Sequence, residues 1–217
     1  MSLDEYLRRF ENARRITLVG PLPPGSGAGA GPDEVRPEEP LVWIDGGANH
    51  RDAGGSFRGG FAVGDGDSAR GALDQYLPEE KDHSDLAYVL RNLPARFGEV
   101  ALRGFLGARR DHELFNLGEV HRFLSAAKPP ARAQFDDSVF GYSEGEWKFS
   151  ADGVFSLAAF AATEVQLTGA CQYPLAAPTK IAPLTSLGLS NRGFGEITLR
   201  ARGPVFIFLP QCRGEQI

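Results

Sequence analysis

Asp65 and Asp67 stand one residue apart in Val63-Gly64-Asp65-Gly66-Asp67-Ser68, directly after the apolar run Phe61-Ala62-Val63. Two carboxylates on a glycine turn at the end of a buried strand are the minimum donor set for magnesium. That ion is hard, keeps several waters, and is held by one or two carboxylates together with the phosphates of a substrate. Asp and Gly are also the commonest residues of plain turns, so the pair alone leaves an ordinary turn open. An EF-hand is excluded, because counting from Asp65 the sixth position is Arg70 instead of Gly and the twelfth is Tyr76 instead of Glu.

Three further groups have the residue types to work with this pair. Asp45 closes the apolar run Leu41-Val42-Trp43-Ile44 and leads into Gly46-Gly47-Ala48-Asn49, where the glycines let the backbone turn tightly beside a ligand. Glu80-Lys81-Asp82-His83-Ser84-Asp85 precedes Leu86, Val89, Leu90 and Leu93 at helical spacing. Asp82 or Ser84 can cap that helix. Asp85 is then either an ordinary acidic first-turn residue or a third metal carboxylate, with Lys81 beside it as a cation for phosphate. Gly107-Ala108-Arg109-Arg110-Asp111-His112 precedes a helical pattern through Leu114, Leu117, Val120 and Leu124, with Asp111 expected as its N-cap. Two arginines and free N–H groups at a helix start suit a nucleotide's phosphates, and plain surface charge is the alternative. His50, His83, His112 and His121 have no zinc-site spacing and are read as supporting or surface residues.

The elements that must position these groups follow from periodicity. Residues 3–13 have helical spacing, and 16–20, 41–45, 61–63 and 100–106 read as buried strands. A polar motif follows each of the last three, and in an open parallel sheet the carboxyl ends of the strands share one crevice. The glycine-rich 25–31 does not open a helix, which leaves a linker or lid over a nucleotide as its reading. Beyond Leu124 the character changes: 128–133 is a linker by composition, Asp152-Gly153 reads as a hairpin turn, 196–202 alternates, and 205–209 is an unbroken apolar strand. The expected architecture is an α/β domain with a mostly parallel sheet over 1–127, then an all-β sandwich domain over 134–217.

The chain has 217 residues, 42% hydrophobic and 24% charged, enough for a sizeable core. A net charge of -5 disfavours nucleic-acid binding. No apolar run reaches the ~20 residues of a membrane span, and a charged N-terminus together with Cys171 and Cys212 as the two cysteines fits a cytoplasmic protein with no thiolate metal cluster.

With these residues in view, the chain resembles the thiamin pyrophosphokinase family. The matching segments come in the family's order: 45–49, 64–68, 80–85, 107–112 with Asn116, Thr168-Gly169 through Tyr173-Pro174-Leu175, and Ser190-Asn191. The resemblance implies transfer of the pyrophosphoryl group of ATP to thiamin, with Mg2+, in a homodimer whose acceptor pocket lies between subunits. It implies Asp65, Asp67 and Asp85 as metal ligands with Asp45 close by. Arg109, Asp111, Lys81 and Asn49 fall on the nucleotide side and Ser190 and Asn191 on the thiamin side, where either Tyr173 or Phe194 offers the aromatic face that a thiazolium cation wants. The chain departs from the family at Gly66, usually bulky, and at Arg110, usually apolar. It also lacks a tryptophan after Ser190, and in 168–175 the length is altered and the usual lysine is absent. A related pyrophosphokinase acting on a pterin or another small alcohol, and a non-catalytic nucleotide or thiamin binder, are the alternatives.

Overall fold

A computed structural model of the chain describes residues 1–23, 36–51 and 59–209. The glycine-rich 25–31 and Cys212 lie outside the described residues. Within them, the apolar runs form β1 (Arg15–Val19), β2 (Leu41–Ile44), β3 (Phe61–Gly64), a two-residue β4 (Gln75–Tyr76) and β5 (Glu99–Arg103). β2 and β3 are buried at every position, as expected of strands covered on both faces. Three helices accompany them. In α1 (Leu3–Arg8) Ser2 and Glu5 form a capping box, and α2 (Asp85–Arg91) is capped by Ser84, whose hydroxyl accepts from Ala87 N. In α3 (Arg110–Ala126) the N-cap is Arg109 and not Asp111, and no side chain bonds the cap. The Asp111 carboxylate is turned to Arg109 instead.

The second half supplies β6 (Arg132–Phe135), β7 (Val139–Tyr142), β8 (Gly145–Ala158), β9 (Thr163–Cys171), β10 (Leu175–Ile181), β11 (Asn191–Ala201) and β12 (Val205–Phe208). All the strands join one order, β10-β9-β11-β8-β12-β7-β6-β5-β1-β2-β3-β4. The five pairings from β6 to β4 are parallel and the six from β6 to β10 antiparallel, so the sheet is mixed where a mostly parallel one was expected. The strands expected in a separate sandwich continue the same hydrogen-bonded order.

Two readings change for identifiable reasons. The 128–133 segment ends inside the sheet, since β6 begins at Arg132 and pairs with β5. Asp152-Gly153 is not a hairpin, because β8 runs straight through it, opposite Phe194 and Gly193 of β11. Gly153 takes φ +110 within the strand and the register with β11 continues unbroken, so the conformational freedom that made the dipeptide resemble a turn does not reverse the chain. The core has two main clusters. One surrounds Leu18, Val42, Val63, Leu102 and Phe135 and takes in Phe206 from β12; the other surrounds Phe155, Leu167, Ile197 and Ile207.

Candidate active site

The carboxyl ends of β2 and β3 lie side by side, since the two strands pair in parallel with Ile44 opposite Val63. One step further, carboxylate oxygens of Asp45, Asp65 and Asp67 lie within 4.8 Å of one another. Asp45 opens a 3-10 turn (Asp45–His50) and takes φ +46, a left-handed conformation that few non-glycine residues adopt. Its Oδ1 accepts from Gly66 N at 3.1 Å. The Asp67 amide donates to Asp65 Oδ1 at 3.2 Å, and Ser68 Oγ donates to Asp67 Oδ1 at 2.8 Å. Gly66, at φ +88, is required by its backbone, and a Cβ there would sit 3.2 Å from the Tyr76 ring. A side chain at that position would press on the Tyr76 ring and strain the backbone.

Lys81 and Asp85 complete the cluster from the side of α2. Lys81 Nζ donates to Asp65 Oδ2 and lies 3.1 Å from Asp85 Oδ1. The ammonium thus bridges Asp65 and Asp85, and Asp85, expected as a metal ligand, is not among the three carboxylates whose oxygens are closely set. Burial pushes the Asp85 carboxyl up, and the Asp65 charge acts the same way. Burial also raises Asp45, reinforced by Asp67. For Asp65 burial works against the charged form, but hydrogen bonds from Lys81 and the Asp67 amide outweigh it and hold the pKa below the usual value. Three closely set oxygen donors, one of them pushed toward its neutral form by burial and further by a like charge, suit a hard divalent cation.

Asn49 is engaged in this loop: Nδ2 donates to Ser68 O at 3.0 Å and Oδ1 accepts from Arg70 N at 2.6 Å. Its amide shapes the segment that carries Asp67. Arg109 and Asp111 form an exposed, two-bond ion pair at the start of α3, at 3.2 and 2.6 Å. The Arg109 guanidinium, by hydrogen bonding, pulls the Asp111 carboxyl down to about 2. Arg110 is exposed on the first turn of α3. This pair stands beyond β5, three strand positions from β3, or roughly 14 Å at ~4.8 Å per strand.

The residues assigned to the acceptor lie on the other arm of the sheet, where Asn191 and Phe194 point to opposite faces of β11. Asn191 is buried and holds the Tyr173 backbone, accepting from its N–H at 3.0 Å and donating to its carbonyl at 2.8 Å. Ser190 precedes it at φ +58, with its amide on Ser156 Oγ at 3.0 Å. The rings of Tyr173 and Phe194 are exposed. Sequence reasoning missed Asp136, a buried carboxylate at φ +44 in the β6–β7 turn that accepts from Gly104 N at 3.3 Å. It also missed Tyr76 and Glu113, the latter accepting from Gly107 N at 2.6 Å. Only the fold gives these residues their neighbours.

No protein-family model matches the chain, and no curated protein matches it in sequence. Solved structures do share its fold, a large mixed sheet with few helices. Many of them are thiamin pyrophosphokinases. The thiamine pyrophosphokinase of Bacillus subtilis matches with a TM-score of 0.66 at 23% identity, over 89% of this chain and 97% of its own. That of Geobacillus thermodenitrificans matches at 0.63 and 22%, over 91% and 99%. The enzyme of Candida albicans matches at 0.65 with only 13% identity, over 93% and 90%. The chain thus has the thiamin pyrophosphokinase fold over nearly its whole length. Among the described residues, no helix is long and apolar enough to cross a membrane.

Proposed function

We propose that this chain is a thiamin pyrophosphokinase, transferring the pyrophosphoryl group of ATP to the hydroxyl of thiamin and releasing AMP. The observation that carries the reading is the convergence of Asp45, Asp65 and Asp67 at the carboxyl edge of the parallel strands, in a chain with this fold. These three would hold Mg2+, with Asp85 adjoining across Lys81. The ion would neutralise charge on the phosphates and help align them. The chain's own task is positioning. Lys81 and Arg109 offer cations to the phosphate oxygens, and the glycines of the β2 and β3 ends let a ligand approach the backbone. The acceptor oxygen forms a bond to the β-phosphorus as the bond to the bridging α,β-oxygen breaks, and the hydroxyl proton is lost. No covalent nucleophile is needed.

The thiamin side is assigned to Ser190, Asn191, Tyr173 and Phe194, supplied by the second subunit of a homodimer. An exposed aromatic face suits a thiazolium cation. The test is direct: with ATP, Mg2+ and a panel of thiamin, a pterin alcohol and simple alcohols, the protein should form AMP with thiamin only, and Asp67→Asn should form none. ADP as the nucleotide product would overturn the pyrophosphoryl assignment. AMP formed with the pterin alone would move the acceptor.

A further inference from the structure

Lys81 is placed where a cation is needed but a metal is not the only one that can supply it. Its side chain keeps 9% of its surface, against 15% for Asp65 and 11% for Asp85. The ammonium faces three oxygens: Asp65 Oδ2, Asp85 Oδ1 at 3.1 Å and the Pro78 carbonyl at 3.0 Å. Two of these are hydrogen bonds, to Asp65 Oδ2 and the Pro78 carbonyl, and the third is an ion pair with Asp85. The two carboxylates belong to different elements, the end of β3 and the first turn of α2, and Lys81 ties them together. Asp65 also belongs to the Asp45–Asp67 cluster. Asp65 is thus shared between an internal cation and the place where an external one would enter.

We propose that Lys81 is an exchangeable counter-ion of the metal site. It holds Asp65 and Asp85 while no divalent cation is present, and it must give up Asp65 when one binds. The inference rests on the reading that Asp45, Asp65 and Asp67 hold the metal. Its consequence is a linkage. A metal arriving alone has to break the Lys81–Asp65 pair, and the ammonium is left with Asp85 and the Pro78 carbonyl, one carboxylate short. A metal arriving with a polyphosphate brings the missing partner, because a phosphate oxygen can take the ammonium as Asp65 lets it go. Lys81 therefore opposes the bare metal and favours the metal–polyphosphate pair, which keeps the carboxylates closed until the phosphate donor is present.

This predicts opposite signs for one substitution. In Lys81→Met, Mn2+ alone, followed by its paramagnetic signal and by calorimetry, should bind about tenfold more tightly than in the unaltered protein, within the usual range for coupled sites. Mg2+ with tripolyphosphate should bind about tenfold more weakly. The metal-free variant should melt at a lower temperature, and Mn2+ should restore the loss. A purely structural lysine would weaken both ligands, and a plain phosphate contact would leave Mn2+ alone unchanged; either result overturns the proposal. If Lys81→Met does not fold, the comparison moves to Asp85→Asn with and without Lys81→Met, which removes the cation together with one charge that it neutralises. Equal Mn2+ affinity in those two proteins also overturns it. Absence of Mn2+ binding that depends on Asp67 would remove the metal site itself. Normal AMP formation beside unchanged Mn2+ affinity would reject the counter-ion role and leave the proposed function standing.

Discussion

Asp45 combines two demands that rarely meet in one side chain. Its carboxylate must stand beside those of Asp65 and Asp67, and the turn that places it there requires φ +46. Asp and Asn are the non-glycine residues that best tolerate that region, because a short polar side chain can bond locally, and Asp45 Oδ1 in addition accepts from Gly66 N on the neighbouring turn. Asp45→Asn should therefore keep the metal-free protein within about 0.5 kcal/mol of its original stability while removing turnover. Asp45→Ala should lose about 1 kcal/mol in urea unfolding, since a methyl side chain has no such compensation. Equal stabilities for the two variants would show that the backbone is unstrained. The pH dependence has a definite sign. Burial raises the Asp45 pKa, so its charged form opposes folding above the folded pKa, and that penalty disappears as pH falls through it toward the unfolded value. Any stability gained by Asp45→Asn should shrink over that window.

The elements around the site are packed through glycine. A Cβ on Gly64 would lie 2.7 Å from Asp45 Cβ and 2.8 Å from its Cα, so the end of β3 touches the turn after β2 backbone to backbone. Gly64→Ala should separate the two ends, costing about 1–3 kcal/mol and weakening metal binding. Gly71→Ala, where an added Cβ meets nothing within 4 Å, should do neither. A Gly64→Ala protein with normal stability and metal affinity would show that the ends are not tightly coupled. This packing also explains what the sequence could reveal. β1, β2, β3, β5 and β12 were legible because strands buried on both faces read as unbroken apolar runs. The aspartates at their ends were legible because glycine turns follow directly. β4 has two residues and no period, and the bridge from Lys81 to Asp65 spans elements whose contact exists only after folding. Asp152-Gly153 misled because a positive φ identifies a glycine's conformation without saying whether the chain reverses there.

At the scale of the molecule, the strands that carry the two proposed substrate sides stand far apart in the sheet order, while a cavity lined by Gly107, Asp136, Ser156, Ser186 and Leu189 brings the loop before Ser190 near the turn before Arg109 in the same chain. β11, which carries Asn191 and Phe194, lies eight strand positions from β3, which leads to Asp65. At ~4.8 Å per strand this is roughly 38 Å measured along the sheet. A second copy related by a two-fold axis could bring its β11 arm to the first copy's carboxylates, and the same operation would complete the second site. Complementation tests this. Subunits carrying Asp67→Asn lack the metal side, and subunits carrying Ser190→Trp have the acceptor side blocked, so each protein alone should be inactive. After dissociation and random re-association in equal amounts, about half the dimers are mixed, and each mixed dimer has one pocket with both lesions and one with neither. About a quarter of the original activity should return. If each pocket were built within one chain, every pocket would carry one lesion and none would be intact. Verified mixed dimers of two folded, inactive parents that recover no activity would place the acceptor within a single chain and remove the between-subunit site.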